Sequence, residues 1–296
     1  MRVFLYFWNN EVNVGDYASQ YIVSHIACDK VVEKNPFIKL SNILYNVIKY
    51  VLRKESHIGD YCKHYLFIRQ RVVFSVGSIL DFATSKCIVW GSGFREYNSV
   101  TSCRNIVAVR GYLSLHQLKN ISRKIMIGDP ALLLPLIYTP ISTFKKYTVS
   151  LIPHYKDYHP IIALNTKQYN VIKTQTENVE QFIEDIYSSQ YILSSSLHGV
   201  IIAHAYNIPA LWVRHGNVGS SDFKYHDYFS SVHISSYPSL CMENIINYEE
   251  SDIVALFDRY RKYALPQIDI LQLQQGLLSC APFKIKNKYT QYISKN

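Results

Sequence analysis

The chain opens with Met1-Arg2-Val3-Phe4-Leu5-Tyr6-Phe7-Trp8, an apolar run that turns polar at Asn9. A polar loop follows through Asn13-Val14-Gly15-Asp16, and apolar side chains then recur at Tyr17, Tyr21, Ile22 and Ile26. A short apolar run predicts a buried strand, and a repeat of three to four residues predicts one face of a helix. This order of strand, loop and helix is typical of α/β proteins.

Similar apolar runs recur through the first half of the chain, and each ends at glycine or a polar residue. They lie at 72–77, 87–90, 106–109 and 124–127. Strands of this kind are typical of a parallel sheet, in which ligands bind at the carboxyl ends of the strands. We therefore expect functional residues in the loops that follow these runs.

The pattern restarts after a Pro-, Thr- and Lys-rich segment, 138–146, which we interpret as a linker. Further strands are predicted at 149–154, 161–164, 169–172, 191–193 and 209–213. Helices are predicted at 177–187, 197–206, 251–263 and 267–277. The sequence therefore predicts an α/β fold of two Rossmann-like domains facing a cleft. The first domain spans 1–140 and the second 147–296, and the last helix is expected to pack back on the first domain.

Composition limits the classes of partner. Apolar residues make up 48% of the 296 residues, which predicts a substantial core and argues against disorder. The net charge of +9 favours phosphorylated substrates, nucleic acid or acidic membranes. The densest basic cluster is the tail at Lys284, Lys286, Lys288 and Lys295. Either it is a solvated, frayed terminus or it docks weakly to an anionic leaflet.

Cysteine usage and hydropathy bear on location. The six cysteines stand singly, without a Cys-x-x-Cys pair, so we expect reduced, mostly buried thiols and no zinc site. The opening apolar run is too short for a signal peptide core or a membrane span. These features predict a cytoplasmic protein.

The segment Ser194-Ser195-Ser196-Leu197-His198-Gly199 lies where a predicted buried strand turns into a helix. The first N–H groups of a helix have no partner within it and carry partial positive charge, so a phosphate or carboxylate fits there. The serine hydroxyls add donors, Gly199 allows close approach of a ligand, and His198 can transfer a proton near neutral pH. The alternative is a serine N-cap with an incidental histidine.

Four further loops follow predicted strands. Asn13-x-Gly15-Asp16 either touches a ligand or only caps the next helix, and Gly91-Ser92-Gly93 lacks the third glycine of a dinucleotide fingerprint. Arg110 either binds a carboxylate or phosphate or is a surface arginine. His154, Tyr155 and Asp157 offer an acid, a base or hydrogen bonds to sugar, or form a plain polar loop. With no His-Glu-x-x-His, Asp-x-Asp pair or P-loop, neither a metal nor a cofactor is expected.

Taken in order, these motifs resemble the polysaccharide pyruvyl transferase family. No single motif is specific, but their order and spacing over residues 3 to 230 carry the resemblance. The matching segments are Asn13-x-Gly15-Asp16, Gly91-Ser92-Gly93, Val109-Arg110-Gly111, Gly128-Asp129-Pro130-Ala131-Leu132, Ile152-Pro153-His154-Tyr155-x-Asp157, Ser195-Ser196-Leu197-His198-Gly199, Asn207-Ile208-Pro209-Ala210 and Phe223-Lys224-x-x-Asp227-Tyr228.

The resemblance implies a metal-free fold similar to the two-domain GT-B glycosyltransferases. It also implies transfer of the pyruvyl group of phosphoenolpyruvate onto two sugar hydroxyls as a ketal. The implied acceptor is a sugar of an exopolysaccharide or capsule precursor carried on polyprenyl diphosphate. Such a protein would work at the inner face of the cell membrane as a peripheral protein, without nucleic acid.

The resemblance also suggests roles for residues. A Leu-His pair of the family that contacts the donor matches Leu197 and His198, and many relatives have Arg where this chain has Ser196. Arg110, in the first, acceptor-side domain, is therefore expected to bind the anion. Lys224 and Arg214 are the alternative cations for this role. The expected donor-binding residues are Asn13, Gly15, Ser92, Arg110, Ser195, Ser196, Leu197 and Gly199, and the expected acceptor-binding residues are Tyr155, Asp157, Arg214 and Lys224.

His198 is expected to protonate the donor, and either Asp16 or His154 to accept the proton of the sugar hydroxyl. The main rival is a GT-B glycosyltransferase that uses a nucleotide sugar. A second alternative is a non-catalytic carbohydrate-binding or membrane-docking protein, which would explain the 25 tyrosines but not the polar residues at strand ends.

Overall fold

The computed structural model describes residues 2–8, 11–33, 71–119, 123–141, 144–164, 169–216 and 221–293. Within them the chain forms an α/β structure with two parallel sheets. The strands of the first sheet are β1 (Arg2–Tyr6), β2 (Lys30–Glu33), β3 (Val72–Phe74), β4 (Cys87–Trp90), β5 (Ile106–Val109) and β6 (Met126–Ile127). Those of the second are β7 (Tyr147–Ile152), β8 (Asn170–Val171), β9 (Ser189–Ser194), β10 (Ala210–Arg214) and β11 (Leu240–Cys241).

The two sheets share one connection pattern. The first has the order β2-β1-β3-β4-β5-β6 and the second β8-β7-β9-β10-β11, so in each the opening strand pairs with the second and the third. The strand order therefore reverses between β1 and β3, and again between β7 and β9. The predicted linker, 138–146, lies between the last strand of one sheet and the first of the other, and its residues 142 and 143 fall outside the described residues.

The helices alternate with the strands along the chain and pack on the sheets and on one another. They are α1 (Val14–Ile26), α2 (Tyr112–Gln117), α3 (Tyr158–Leu164), α4 (Val179–Tyr187), α5 (Leu197–Ala205), α6 (Phe223–Ser231), α7 (Met242–Ile245), α8 (Glu250–Arg259), α9 (Ile270–Ser279) and α10 (Asn287–Thr290). Two 3₁₀ helices span Leu80–Phe82 and Pro130–Leu136.

Helix α4 shows how the sequence dictates an element. Asn178 caps it by accepting a hydrogen bond from the amide of Gln181 at 3.0 Å. Its buried residues are Val179, Phe182, Ile183 and Ile186, the apolar stripe predicted from the helical period. In contrast, α5 is buried from Leu197 to His204, which makes it a central helix.

One apolar core crosses both halves. The same cluster contains Leu5 and Ile22 from the first half and Ile183 and Val200 from the second. Helix α1 also packs on α4, where Tyr17 donates to Glu177 and Tyr21 donates to Glu180, each at 2.7 Å. The position of each half therefore depends on the other.

The end of the chain returns to the first sheet. Helix α9 packs against β6, and Trp90 Nε1 donates to the carbonyl of Leu277 at 2.9 Å. The amide of Cys28 then donates to Lys284 and that of Lys286 donates to Ile26, both at 2.8 Å. The interpretation of a frayed basic tail is therefore wrong for these lysines, while Lys295 lies outside the described residues.

Two other sequence predictions need correction. The strand predicted at 161–164 is the last turn of α3, where Ile161 alone of these four residues is buried. A four-residue apolar run does not distinguish strand from helix by periodicity. The thiols are less buried than expected: Cys87 and Cys103 are buried, but Cys28 and Cys241 are exposed and Cys280 is intermediate. All five are free, and Cys62 lies outside the described residues.

Candidate functional site

A pocket of about 140 Å³ lies where four strand-end loops meet. From the first half, the loops after β1 and β3 contribute Trp8, Glu11, Asn13, Asp16, Gly77, Ser78 and Ile79. From the second, the loops after β7 and β9 contribute His154, Tyr155, Ser196, Leu197 and His198. These are the strands at which the order reverses in each sheet, and ligands of open α/β sheets bind at such points.

Two cations complete the pocket wall. Arg95 comes from the loop after β4 and Lys224 from the first turn of α6. Burial, followed by the positive charges of Arg110, Arg95 and Lys156, lowers the pKa of Lys224 to about 8. Lys224 therefore remains largely protonated at neutral pH, in a place where further positive charge is unfavourable and an anion is favourable.

The start of α5 offers unpaired backbone donors. Ser194 Oγ accepts from the amide of Ser196 at 3.0 Å, and the first bond within the helix runs from Val200 to Ser196 at 3.2 Å. Between them, the amides of residues 197–199 donate to none of the described residues. Helix starts of this kind bind anions, because the amides and the helix dipole present positive charge together.

His198 lies between the two halves of the chain. Its Nε2 atom is buried and 3.9 Å from Oδ2 of Asp129, and neither atom has a hydrogen-bond partner in the part of the chain that the structure describes. On its other side the ring packs on Gly15 of α1. Burial, with the charges of Arg110 and Lys224, lowers the pKa of His198 to about 3. The imidazole is therefore neutral at neutral pH in the free protein.

Asp129 was not predicted as a site residue. It is fully buried, and its Oδ1 caps the second 3₁₀ helix by accepting from the amide of Ala131 at 2.9 Å. Burial raises its pKa to about 6. In the sequence, Asp129-Pro130 is an acidic residue before a proline, which is typical of a helix start. This pattern predicts the cap, but it does not show whether the second carboxylate oxygen faces a histidine.

Asp16 and His154 differ in their chemistry. Burial raises the pKa of Asp16 to about 7, so both of its protonation states are populated near neutral pH. Burial and the charges of Lys224 and Lys156 lower the pKa of His154 to about 3, which makes its imidazole a weak base. Asn13 caps α1 by accepting from the amide of Gly15 at 3.1 Å, and it lines the pocket as well.

Arg110 does not line the pocket. Its side chain is fully buried, with Nε 2.9 Å from Asp227, Nη2 2.7 Å from the carbonyl of Phe94 and Nη1 bonded to Ser78. Its guanidinium therefore holds the pocket wall, and direct contact with an anion would require these bonds to break. Ser92 is also buried, donating to the carbonyl of Gly77 at 2.8 Å.

Five other predicted residues lie outside the pocket lining: Gly15, Ser195, Asp157, Gly199 and Arg214. Ser195 Oγ donates to Asp157 at 2.7 Å and accepts from the amide of His154 at 2.9 Å, so this pair fixes the loop after β7. A Cβ on Gly199 would lie 2.8 Å from Ile152, so this glycine allows the helix to approach the strand and does not serve a ligand. Arg214 is paired with Asp222.

The described residues contain no group of three or more His, Cys, Asp or Glu placed to hold a metal ion. Among the same residues, no helix combines the length and the hydropathy that crossing a bilayer requires. The structure thus brings together Asn13, Asp16, His154, Tyr155, Ser196, Leu197, His198 and Lys224.

Comparison with known proteins gives similarities over much of the chain. It is 24% identical to uncharacterized protein L143 of Acanthamoeba polyphaga mimivirus, over 98% of this chain and 97% of that protein. A crystal structure of the functionally uncharacterized Klebsiella pneumoniae protein KP1_0663 overlaps 90% of this chain and 93% of its own, at 13% identity and a TM-score of 0.36, which is too loose to define a common fold.

The family comparison is the informative one. Residues 13–217 match the family model described as polysaccharide pyruvyl transferase. That range includes the loops after β3, β7 and β9 and, from the loop after β1, Asn13. Since the match covers more than half of the chain, this protein belongs to the polysaccharide pyruvyl transferase family, whose members act as transferases in polysaccharide synthesis.

Proposed function

We propose that this protein transfers the pyruvyl group of phosphoenolpyruvate onto two hydroxyls of one sugar in a surface polysaccharide precursor, forming a ketal. The observation that carries the proposal is the convergence of anion-binding groups with His198 and Asp16 in one pocket. The family supplies the reaction class, and the pocket supports the donor.

The pocket chemistry favours a small, highly charged donor. Lys224 and Arg95 supply positive charge, and the amides of Leu197 and His198 supply hydrogen-bond donors for phosphate or carboxylate. A volume of about 140 Å³ suits a small donor such as phosphoenolpyruvate. The absent arginine at Ser196 is compensated by cations from other elements.

The reaction requires a proton donor and a proton acceptor. His198 protonates the methylene carbon of phosphoenolpyruvate, a sugar hydroxyl attacks the central carbon, phosphate leaves, and a second hydroxyl closes the ketal. A bound dianion raises the pKa of His198, because opposite charge favours the imidazolium. Asp16 takes the hydroxyl proton, since its pKa of about 7 suits a general base better than that of His154.

The acceptor sits on the outer side of the donor. Trp8 and Tyr155 present aromatic surface to a sugar ring at the pocket wall. We further propose that the acceptor is carried on polyprenyl diphosphate, that the two halves face each other across a GT-B-like cleft, and that the protein works at the cytoplasmic face of the membrane. The charge of +9 supports contact with an anionic lipid surface.

A direct assay tests the proposal. Purified protein is mixed with phosphoenolpyruvate and a panel of galactosides, mannosides and N-acetylhexosamines, and phosphate release is followed while mass spectrometry seeks the ketal. His198→Ala is expected to lower transfer by about 10²–10⁴-fold, the usual contribution of a general acid. The control His159→Ala removes an exposed imidazole and retains activity. Transfer from a nucleotide sugar, with no ketal formed, would overturn the proposal.

A further inference from the structure

His198 as a proton donor meets a physical difficulty. The charges around the imidazole oppose its protonation: Arg110 lies at the end of β5 and Lys224 on α6. Burial acts in the same direction and holds the pKa of His198 near 3. An imidazolium is therefore scarce before the donor binds, and a neighbouring acid that holds a proton would supply what the imidazole lacks.

Asp129 is placed to store it. Its Oδ2 is buried without a hydrogen-bond partner among the described residues, and it lies 3.9 Å from Nε2 of His198, which is equally unpartnered there. Two buried polar atoms that face each other without hydrogen bonds cost free energy, and such pairs in native proteins call for an explanation. Catalytic hydrogen bonds are often long in free enzymes and shorten in the complex.

The opposite ring nitrogen lies on the side of α1. Nδ1 of His198 faces the first turn of α1 at Gly15, and the neighbouring residues Asn13 and Asp16 line the pocket. The ring thus connects a buried carboxyl group on one side with the donor pocket on the other.

We propose, resting on the function proposed above, that Asp129 and His198 form a proton relay, in which Asp129 acts through His198 as a positioning residue. Protonated Asp129 gives its proton to Nε2 while Nδ1 gives its own to the methylene carbon. An O–H and an N–H bond break, and an N–H and a C–H bond form. His198 changes tautomer and stays neutral, Asp129 becomes a carboxylate, and the sugar oxygen attacks the cationic carbon and releases its proton to Asp16.

The charged groups around the relay set its pH range. Arg110 favours the carboxylate form of Asp129, Asp227 opposes it, and burial is the largest effect, so the pKa of Asp129 is about 6. Tyr228 on α6 also senses the charge of Asp129, while Lys224 and Arg110 act on the imidazole. A dianionic donor in the pocket adds negative charge, so donor binding should raise the pKa of Asp129 and protonate its carboxyl group near pH 7.

The first test does not depend on activity. In protein labelled with ¹⁵N-histidine, the signal missing from His198→Gln identifies His198 among the 11 histidines. In the wild type, Nε2 should change from acceptor to N–H as pH rises through about 6, because ionised Asp129 then accepts its proton. In Asp129→Asn this switch should disappear. A switch that is absent from the wild type, or unchanged in the variant, would overturn the relay.

The second test separates the relay from the proposed function. Calorimetry of phosphoenolpyruvate binding at pH 7 in two buffers of different ionisation enthalpy measures proton uptake. Uptake is expected for the wild type and for Asp258→Asn, which removes an exposed carboxylate, and a smaller uptake for Asp129→Asn, in which Asp16 still lines the pocket with its pKa of about 7. Equal uptake by the wild type and Asp129→Asn would contradict the relay. If phosphoenolpyruvate binds to the wild type without proton uptake, the relay is contradicted and the proposed donor is not. If phosphoenolpyruvate does not bind, the proposed donor is contradicted, and the ¹⁵N shifts of His198 then test the role of Asp129.

Discussion

The imidazole of His198 lies directly on the backbone of Gly15. A Cβ atom built on Gly15 would stand 2.6 Å from Cγ of the ring, closer than real Cβ atoms approach other atoms. Gly15 is in the first turn of α1 and His198 in the first turn of α5, so the absence of one side chain lets the two halves bring their helix starts together.

Gly15→Ala should therefore damage the site without unfolding the protein. The new methyl group displaces the His198 ring from Asp129 and the pocket, and we expect transfer to fall at least tenfold. Alanine is favoured over glycine in a helix by roughly 1 kcal/mol, which offsets part of the strain. Thermal melting and phosphate release measure the two effects separately.

Gly276→Ala is the matched control. This helical glycine would place its Cβ 2.8 Å from Cε of Met126, the end of a flexible side chain that can turn away. We expect unchanged activity and equal or higher melting temperature. If Gly15→Ala were as active as Gly276→Ala, the His198 ring could be displaced without loss of transfer, which would contradict the prediction.

The ion pair of Arg110 with Asp227 should support the fold more than the chemistry. Both side chains are fully buried at 2.9 Å, and Asp227 also accepts from the amide of Ser114 at 2.7 Å. Arg110→Met leaves a buried carboxylate without its cation, which costs about 3–5 kcal/mol. Urea unfolding measures the loss.

An exposed pair provides the comparison. Arg214 and Asp222 keep 33% and 39% of their side-chain surface accessible, and exposed pairs contribute about 0–1 kcal/mol. Arg214→Met should therefore change the free energy of unfolding little. Similar losses for both variants would contradict the structural role of Arg110.

Asp16 should make stability depend on pH. Its pKa is about 7 in the folded protein and 3.8 in the unfolded chain, so the unfolded state ionises first as pH rises. Folding free energy is therefore lost between about pH 4 and pH 7. Asp16→Asn removes this loss: it should stabilise the protein at pH 8, have little effect at pH 4 and slow transfer. Denaturant unfolding at both pH values checks this, with Asp258→Asn as the control for charge.

Lys224 should act on donor affinity. Lys224→Met removes a cation from the pocket wall while keeping most of the side-chain volume, so we expect the KM for phosphoenolpyruvate to rise about tenfold, the effect of roughly 1.4 kcal/mol. Lys173→Met, at an exposed lysine over the ring of Tyr158, should leave KM unchanged. A normal KM in the first variant would remove Lys224 from the donor site.

Much of the site follows from the sequence, because strand ends and helix starts are local features. Strands at 87–90 and 106–109 are confirmed, and the segment around Leu197 does begin a helix at a pocket. Local pattern does not tell which side of a strand end faces the pocket. Arg110 directly follows its strand as predicted, but its guanidinium is paired with the carboxylate of Asp227, which is far away in sequence.

The meaning of a glycine likewise depends on its distant neighbours. Gly15 and Gly199 look alike in sequence, yet one makes room for His198 and the other for Ile152. The sequence does not predict a site role for Asp129 for the same reason, because His198 comes close to it only when the two halves pack. Pairings of this kind are tertiary and leave no periodic signal.

The hydrogen bonds from Tyr17 to Glu177 and from Tyr21 to Glu180 join α1 to α4, and the segment around Lys284 pairs with the end of α1. A protease cut in the exposed connection near Ile141 would consequently leave two fragments that remain associated. Expressed separately, each fragment would expose a broad apolar face, so truncation at this connection is a route to aggregation and does not yield a working half.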